Sequence, residues 1–110
     1  MNIKHDLGVL QGKLSYTFRD EQLLQLALTH RSLGHQPHSN NERLEFLGDA
    51  VLQLTVSTYL FHKFPKLCEG ELAKTRSVLV RETTLAKVAR KLELNRFLLV
   101  GKGETRVRAQ

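Results

Sequence analysis

The sequence predicts an all-α domain packed around one long central helix. Three observations carry that reading. No stretch of the 110 residues alternates apolar and polar side chains with the period of two that marks a half-buried strand. Apolar residues recur instead three and four positions apart, which puts them on one face of a helix. Finally, the stretch from Asn40 to Phe64 contains no proline, and Pro65 stops it because proline disfavours helix at the residue before it.

Taken in order, residues 1–5 read as a loose start, followed by a first helix over Asp6–Leu14 with Leu7, Leu10 and Leu14 on one face. Ser15-Tyr16-Thr17-Phe18 is an extended link whose two rings plug the core. Asp20 is the N-cap of a second helix with Leu23, Leu24, Ala27 and Leu28 inward. Thr29 to Asn40 forms the one long loop. Asn40 or Asn41 caps the third helix, which runs for about 23 residues and suits the centre of a bundle. Glu69-Gly70-Glu71 opens a fourth helix reaching about Val80, with Leu72, Val78 and Leu79 inward. The fifth covers Glu82–Leu92, with Leu85, Val88, Ala89 and Leu92 inward and Lys87, Arg90 and Lys91 outward. Asn95–Val100 is a short, mostly apolar sixth element. Gly101-Lys102-Gly103 is a turn, and residues 104–110 form a polar, basic and mobile tail.

The length suits one domain able to bury a core without staples. No apolar run approaches the 18 residues of a membrane span, and the N-terminus has neither a signal-peptide nor a transit-peptide pattern. The single Cys68 cannot form an internal disulfide, which fits a reducing, cytoplasmic setting. The net charge of +6 is unevenly placed: residues 63–110 hold 12 Lys or Arg against 5 Asp or Glu, and residues 1–62 hold 5 against 6. A basic half suits a polyanionic partner, although many basic proteins have none.

The chemistry concentrates at the start of the central helix. Glu42, Glu45 and Asp49 are spaced i, i+3 and i+7, which places them within about 60° of arc on one face. Such a stripe is by itself an ordinary solvated face. Its setting argues for more. Leu44, Leu47, Val51 and Leu54 form one apolar face, with Phe46 on one flank of the acids and Leu52 and Val56 on the other. A helix apolar on most sides is expected to be buried on most sides, leaving the carboxylates poorly solvated and in need of a counter-charge. A divalent cation answers that need, with Glu45 and Asp49 close enough to share it. Gly48 inside the helix suggests a close approach by something else. His30, His35 and His38 share the preceding loop but show no four-ligand zinc spacing.

Asn41-Glu42-Arg43-Leu44-Glu45-Phe46-Leu47-Gly48-Asp49-Ala50-Val51-Leu52 resembles the signature of the ribonuclease III catalytic domain, as does Ala27-Leu28-Thr29-His30-Arg31-Ser32 before it. Glu69-Gly70-Glu71-Leu72 through Arg76, Leu79-Val80-Arg81 and Thr84-Leu85-Ala86 are similar to bacterial members. The resemblance runs from about Leu10 to Gly103 and implies a ribonuclease III-like helical bundle. It implies a magnesium-dependent endoribonuclease, with manganese as substitute, acting on double-stranded RNA in rRNA and mRNA processing. The products would carry 5′-phosphate and 3′-hydroxyl ends. Glu45 and Asp49 match the family's metal ligands, and Glu42 matches a third signature carboxylate with an auxiliary catalytic role. Glu69 matches an acidic position near the substrate path, where a solvated helix-start glutamate is the plain alternative.

The same resemblance implies a two-fold homodimer whose signature helices meet, each subunit cutting one strand. Phe46, on the side of the helix away from the main core face, is the expected interface residue, since an exposed ring there calls for a covering partner. Duplex RNA would be read by its A-form shape and its phosphates, not by base sequence. Substrate-binding candidates are His30, Arg31, Lys74 and Arg76, with Arg81 and the tail arginines as further phosphate contacts; singly, each also reads as a solvated surface charge or, for His30, a loop anchor.

Two departures qualify these expectations. In the family a later helix carries an Asp-x-x-Glu pattern that completes the metal site, and nothing after Glu93 resembles it. The separate double-stranded-RNA-binding domain of bacterial members has no counterpart either. The chain is therefore expected to be part of a longer ribonuclease, with weak metal binding, little or no cleavage, low and steeply salt-dependent RNA affinity and a tendency to aggregate when alone. The alternatives are a non-catalytic, ribosome-associated RNA-binding module and a helical nucleic-acid-binding domain outside the family.

Overall fold

The computed structural model describes residues 3–101, so the expected mobile tail and the Lys102-Gly103 part of the expected turn lie outside the described residues. Five α-helices follow one another: α1 Ile3–Leu14, α2 Glu21–Ala27, α3 Glu42–Lys63, α4 Glu69–Leu79 and α5 Glu82–Lys91. Short 3-10 turns occupy Arg31–Leu33 and Leu94–Phe97. The chain is all-α as expected, with its long helix in third place. Among the described residues the strand-like pairing is an isolated parallel bridge between Thr29 and Leu99.

The core is local. Leu7 and Leu10 of α1, Leu24 and Leu28 at α2, and Phe97 of the second 3-10 turn form one buried cluster, edged by Val9, Leu14, Phe18, Leu94 and Leu98. Helix α1 begins at Ile3, three residues before its expected start; Asp6 then falls in the first turn, where a carboxylate meets the positive end of the helix dipole. The helix ends on Ser15 at φ 55°. There the Tyr16 N–H reaches the Gln11 carbonyl and the Ser15 N–H reaches that of Gly12, a Schellman arrangement with serine in the left-handed position. Buried Gln11 fixes the following link by accepting the Phe18 N–H at 2.6 Å. Phe18 plugs the core edge, but Tyr16 does not: it stands exposed and packs its edge against the Phe18 ring. Asp20 caps α2 as expected, accepting the Gln22 and Leu23 N–H groups.

Beyond Asn41 the molecule is thinly packed. Leu60 is the buried residue of α3. Leu47, Val51, Leu54 and Phe61 are exposed, as are Val78, Leu79, Leu85 and Val88, all but Phe61 expected on apolar or inward faces. The periodicity named these faces correctly as apolar. Their burial fails because an amphipathic face needs a second layer, and among the described residues the main neighbour of α3 is α4, along its C-terminal half.

Candidate active site

The entry to α3 is built by two consecutive asparagines. The Asn40 side chain, 1% exposed, accepts the Glu42 N–H at 3.0 Å and donates to the Gly34 carbonyl at 2.8 Å. Asn41 has no side-chain cap bond; its N–H donates to the Thr29 carbonyl at 2.9 Å and its Nδ2 to the Ala27 carbonyl at 3.2 Å. The helix is thereby stitched to the end of α2 before its first turn begins.

Glu42, Glu45 and Asp49 lie along the exposed first turns of α3. The expectation of poorly solvated carboxylates is thus corrected: the acids are themselves exposed, and of the apolar flanks meant to exclude water Phe46 is open to it while Leu52 and Val56 are only half-buried. Glu42 is 4.0 Å from the Arg31 guanidinium in a pair exposed on both sides, so it ties the loop to the helix only loosely. An added Cβ at Gly48 would meet nothing within 4 Å, so the close approach that glycine suggests does not come from the described residues. Phe46, 83% exposed, borders an open crevice of about 810 Å³ between α3 and the preceding loop, lined also by Leu26, Pro37, His38, Arg43 and Leu47.

His30 acts as a loop anchor. Its Nδ1 accepts the Ser32 N–H at 3.1 Å and lies 2.9 Å from Ser32 Oγ, which in turn accepts the Gly101 N–H. The His30 N–H donates to the Leu99 carbonyl at 2.8 Å, fastening the loop to the chain beyond α5. Glu69 and Arg76 meet elsewhere, in a cavity of about 190 Å³ between α3 and α4 with Ser57, Leu60, Phe61, Leu72 and Ala73. Arg76 is half-buried and donates to Ser57 Oγ at 2.8 Å, so it is more than a solvated surface charge. Ser57 lies eight residues past Asp49, about 12 Å along the helix axis. Lys74 and Arg81 are exposed. The structure therefore groups the signature acids at one end of α3 and the cavity lined by Glu69 and Arg76 at the other.

Among the described residues no three His, Cys, Asp or Glu side chains gather as a metal-holding cluster. The donor chemistry of α3 nevertheless fits magnesium, which takes hard oxygen ligands and keeps several waters while using one or two carboxylates. Glu45 and Asp49 supply that number from adjacent turns, and neither has an ion-pair partner among the described residues that would compete. Sequence reasoning missed Asn40 as a three-bond clasp and Ser32 as the link to Gly101; the doubled asparagine was the available signal for the first, and nothing local signals the second.

A family model described as Ribonuclease-III-like matches residues 20–110. The chain belongs to the ribonuclease III-like family. This ribonuclease III-like chain is 52% identical over 100 residues to Ribonuclease 3 of Bacillus cereus strain AH187, and 51% identical to that of strain AH820. Each alignment covers 87% of this chain but 41% of the relative, so the chain spans about two-fifths of the length of the curated ribonucleases it matches. A solved nuclease domain of ribonuclease III from Campylobacter jejuni superposes with a TM-score of 0.80 at 52% identity, covering 87% of this chain and 66% of that one. A second structure of that domain gives 0.79, with 88% and 65% covered. The first was described for structural flexibility in a region involved in dimer formation.

Proposed function

We propose that this ribonuclease III-like chain contributes the signature half of the active site of an endoribonuclease acting on double-stranded RNA. The observation that carries the reading is the exposed alignment of Glu42, Glu45 and Asp49 on one face of α3, in a chain of this family. Glu45 and Asp49 hold a divalent cation, magnesium or in its place manganese. The chemistry supplied by that cation when bound is positive charge against the scissile phosphate and a more acidic water. Glu42, paired with Arg31, stands beside the ligands in an auxiliary role. The products are 5′-phosphate and 3′-hydroxyl ends, made in the processing of ribosomal and messenger RNA in the cytoplasm.

Exposed Arg31 and Lys74 are available to the phosphates of an A-form duplex. His30 supports this surface indirectly by holding its loop. Arg76 presents its remaining donors while Ser57 holds the guanidinium, and Glu69 lines the same cavity. The exposed Phe46 ring and the crevice beside it support a homodimer in which a second copy covers both.

The test is cleavage of a labelled RNA duplex with magnesium, by the chain alone and joined to the remainder of the Bacillus cereus relative, each beside an Asp49→Asn control. Cleavage by the joined form, lost in its control, is the expected result. Absence of cleavage from both forms, with duplex binding retained, overturns the catalytic reading in favour of an RNA-binding module.

A further inference from the structure

Asn40 is the most enclosed polar side chain among the described residues, and all of its bonds converge on one joint. Nδ2 donates to the Gly34 carbonyl at 2.8 Å and to the Gln36 carbonyl at 3.3 Å, while Oδ1 accepts the Glu42 N–H at 3.0 Å. The loop is folded tightly to present those carbonyls: a Cβ at Gly34 would stand 2.5 Å from Ser39 Oγ, itself bonded to the Gln36 carbonyl. One planar amide thus closes the 34–40 loop with its nitrogen and starts α3 with its oxygen. Aspartate offers the oxygen without the donors, serine a shorter reach, and alanine neither.

We infer that Asn40 is the positioning residue of the acidic face, fixing how α3 leaves the loop and hence where Glu42, Glu45 and Asp49 stand relative to His30 and Arg31. The inference rests on the reading of that face as a metal site. Glu42 is the first residue of the helix, and Glu45 and Asp49 follow within two turns. A change of angle at this joint therefore moves all three together. Asn41, bonded to the Thr29 and Ala27 carbonyls, fixes the backbone side of the same joint, and the loop side is held by Asn40 with only the loose Arg31–Glu42 pair beside it.

The test compares Asn40→Ala and Asn40→Asp in the whole chain, reading amide hydrogen exchange and the broadening of NMR signals by manganese(II). Asn40→Ala is expected to speed exchange of the Glu42 amide about 2- to 30-fold, the range for a lost capping bond. It is also expected to raise the manganese concentration needed to broaden the Glu45 and Asp49 signals, with Leu10 and Leu24 amides keeping their protection. Asn40→Asp, which keeps the acceptor but sets a buried carboxylate against the Gly34 and Gln36 carbonyls, is expected to speed exchange of the Ser39 amide, whose N–H donates to the Gln36 carbonyl. Unchanged Glu42 exchange in Asn40→Ala, or a manganese response at Glu45 and Asp49 that Asn40→Ala leaves unchanged, overturns the assignment. Absence of manganese broadening at Glu45 and Asp49 in the unsubstituted chain would instead overturn the metal reading, and the Glu42 and Ser39 amides would still decide the role of Asn40.

Discussion

Lys13 Nζ lies 2.9 Å from Glu93 Oε1, joining the last turn of α1 to the turn between α5 and the second 3-10 segment. Arg96 approaches the other carboxylate oxygen at 3.4 Å. The Lys13 hydrogen bond first, then the charges of Lys13 and Arg96, hold the Glu93 carboxyl below its ordinary value of 4.5. A carboxyl depressed in the folded state stabilises the fold fully above that ordinary value, and the contribution is lost as pH falls through the folded one. Glu93→Gln is therefore expected to be slightly less stable than the parent at pH 7, the loss kept small by solvent screening. Urea unfolding should show the gap closing as the pH is taken below the ordinary carboxylate range. A gap that persists there would mean the ion pair is not its source.

Ser15 ends α1 in the left-handed conformation, which costs an L-residue about 1–2 kcal/mol and glycine almost nothing. Ser15→Gly should raise unfolding stability by about 0.5–1 kcal/mol after the extra entropy of glycine in the unfolded chain is subtracted. Thermal denaturation measures it, and a lowered midpoint would contradict the proposed geometry of the cap.

Leu10 and Leu54 make a matched pair. Leu10 is fully enclosed, whereas Leu54 is 69% exposed. Leu10→Ala should cost about 2–5 kcal/mol. Leu54→Ala in the isolated chain should stay within about 0.5 kcal/mol. Equal losses would show that the apolar stripe of α3 is covered in solution.

Self-association tests that cover directly. Phe46→Lys should lower the sedimentation mass to that of a monomer while leaving α-helical circular dichroism intact, if a second copy seats on this ring. Gly48→Ala, with open space at its Cβ, should stabilise monomeric helix by about 1 kcal/mol. Its effect on dimer mass reports whether the partner approaches Gly48 closely.

Helix order and most helix ends were legible in the sequence, because they follow from local rules. Asp20 reads as a cap, Pro65 as a stop, and Leu7 with Leu10 as one face of a turn. Burial was less legible. Leu47, Val51 and Leu54 have the spacing of a core face, yet periodicity reports only that a face is apolar, not whether anything lies over it. The same limit misplaced Tyr16 and the solvation of Glu45 and Asp49. The alignment of Glu42, Glu45 and Asp49 on one face of α3 was readable from their i, i+3, i+7 spacing. The Ser32–Gly101 contact was not, since it joins residues far apart in sequence and neither has a pattern that points to the other.

The concentration of the buried cluster in α1, α2 and Phe97 divides the molecule into a firm end and an arm made of α3 and α4. Segments with few buried contacts open at lower free energy than the core and do so without it. Trypsin should meet that difference as an order of cutting, first after exposed Lys66 in the α3–α4 link and only later within α1 and α2. An occupant that covers the α3–α4 link slows the first cut. The lifetime of the Lys66–Leu67 bond under protease is thus a gauge of binding that requires no turnover.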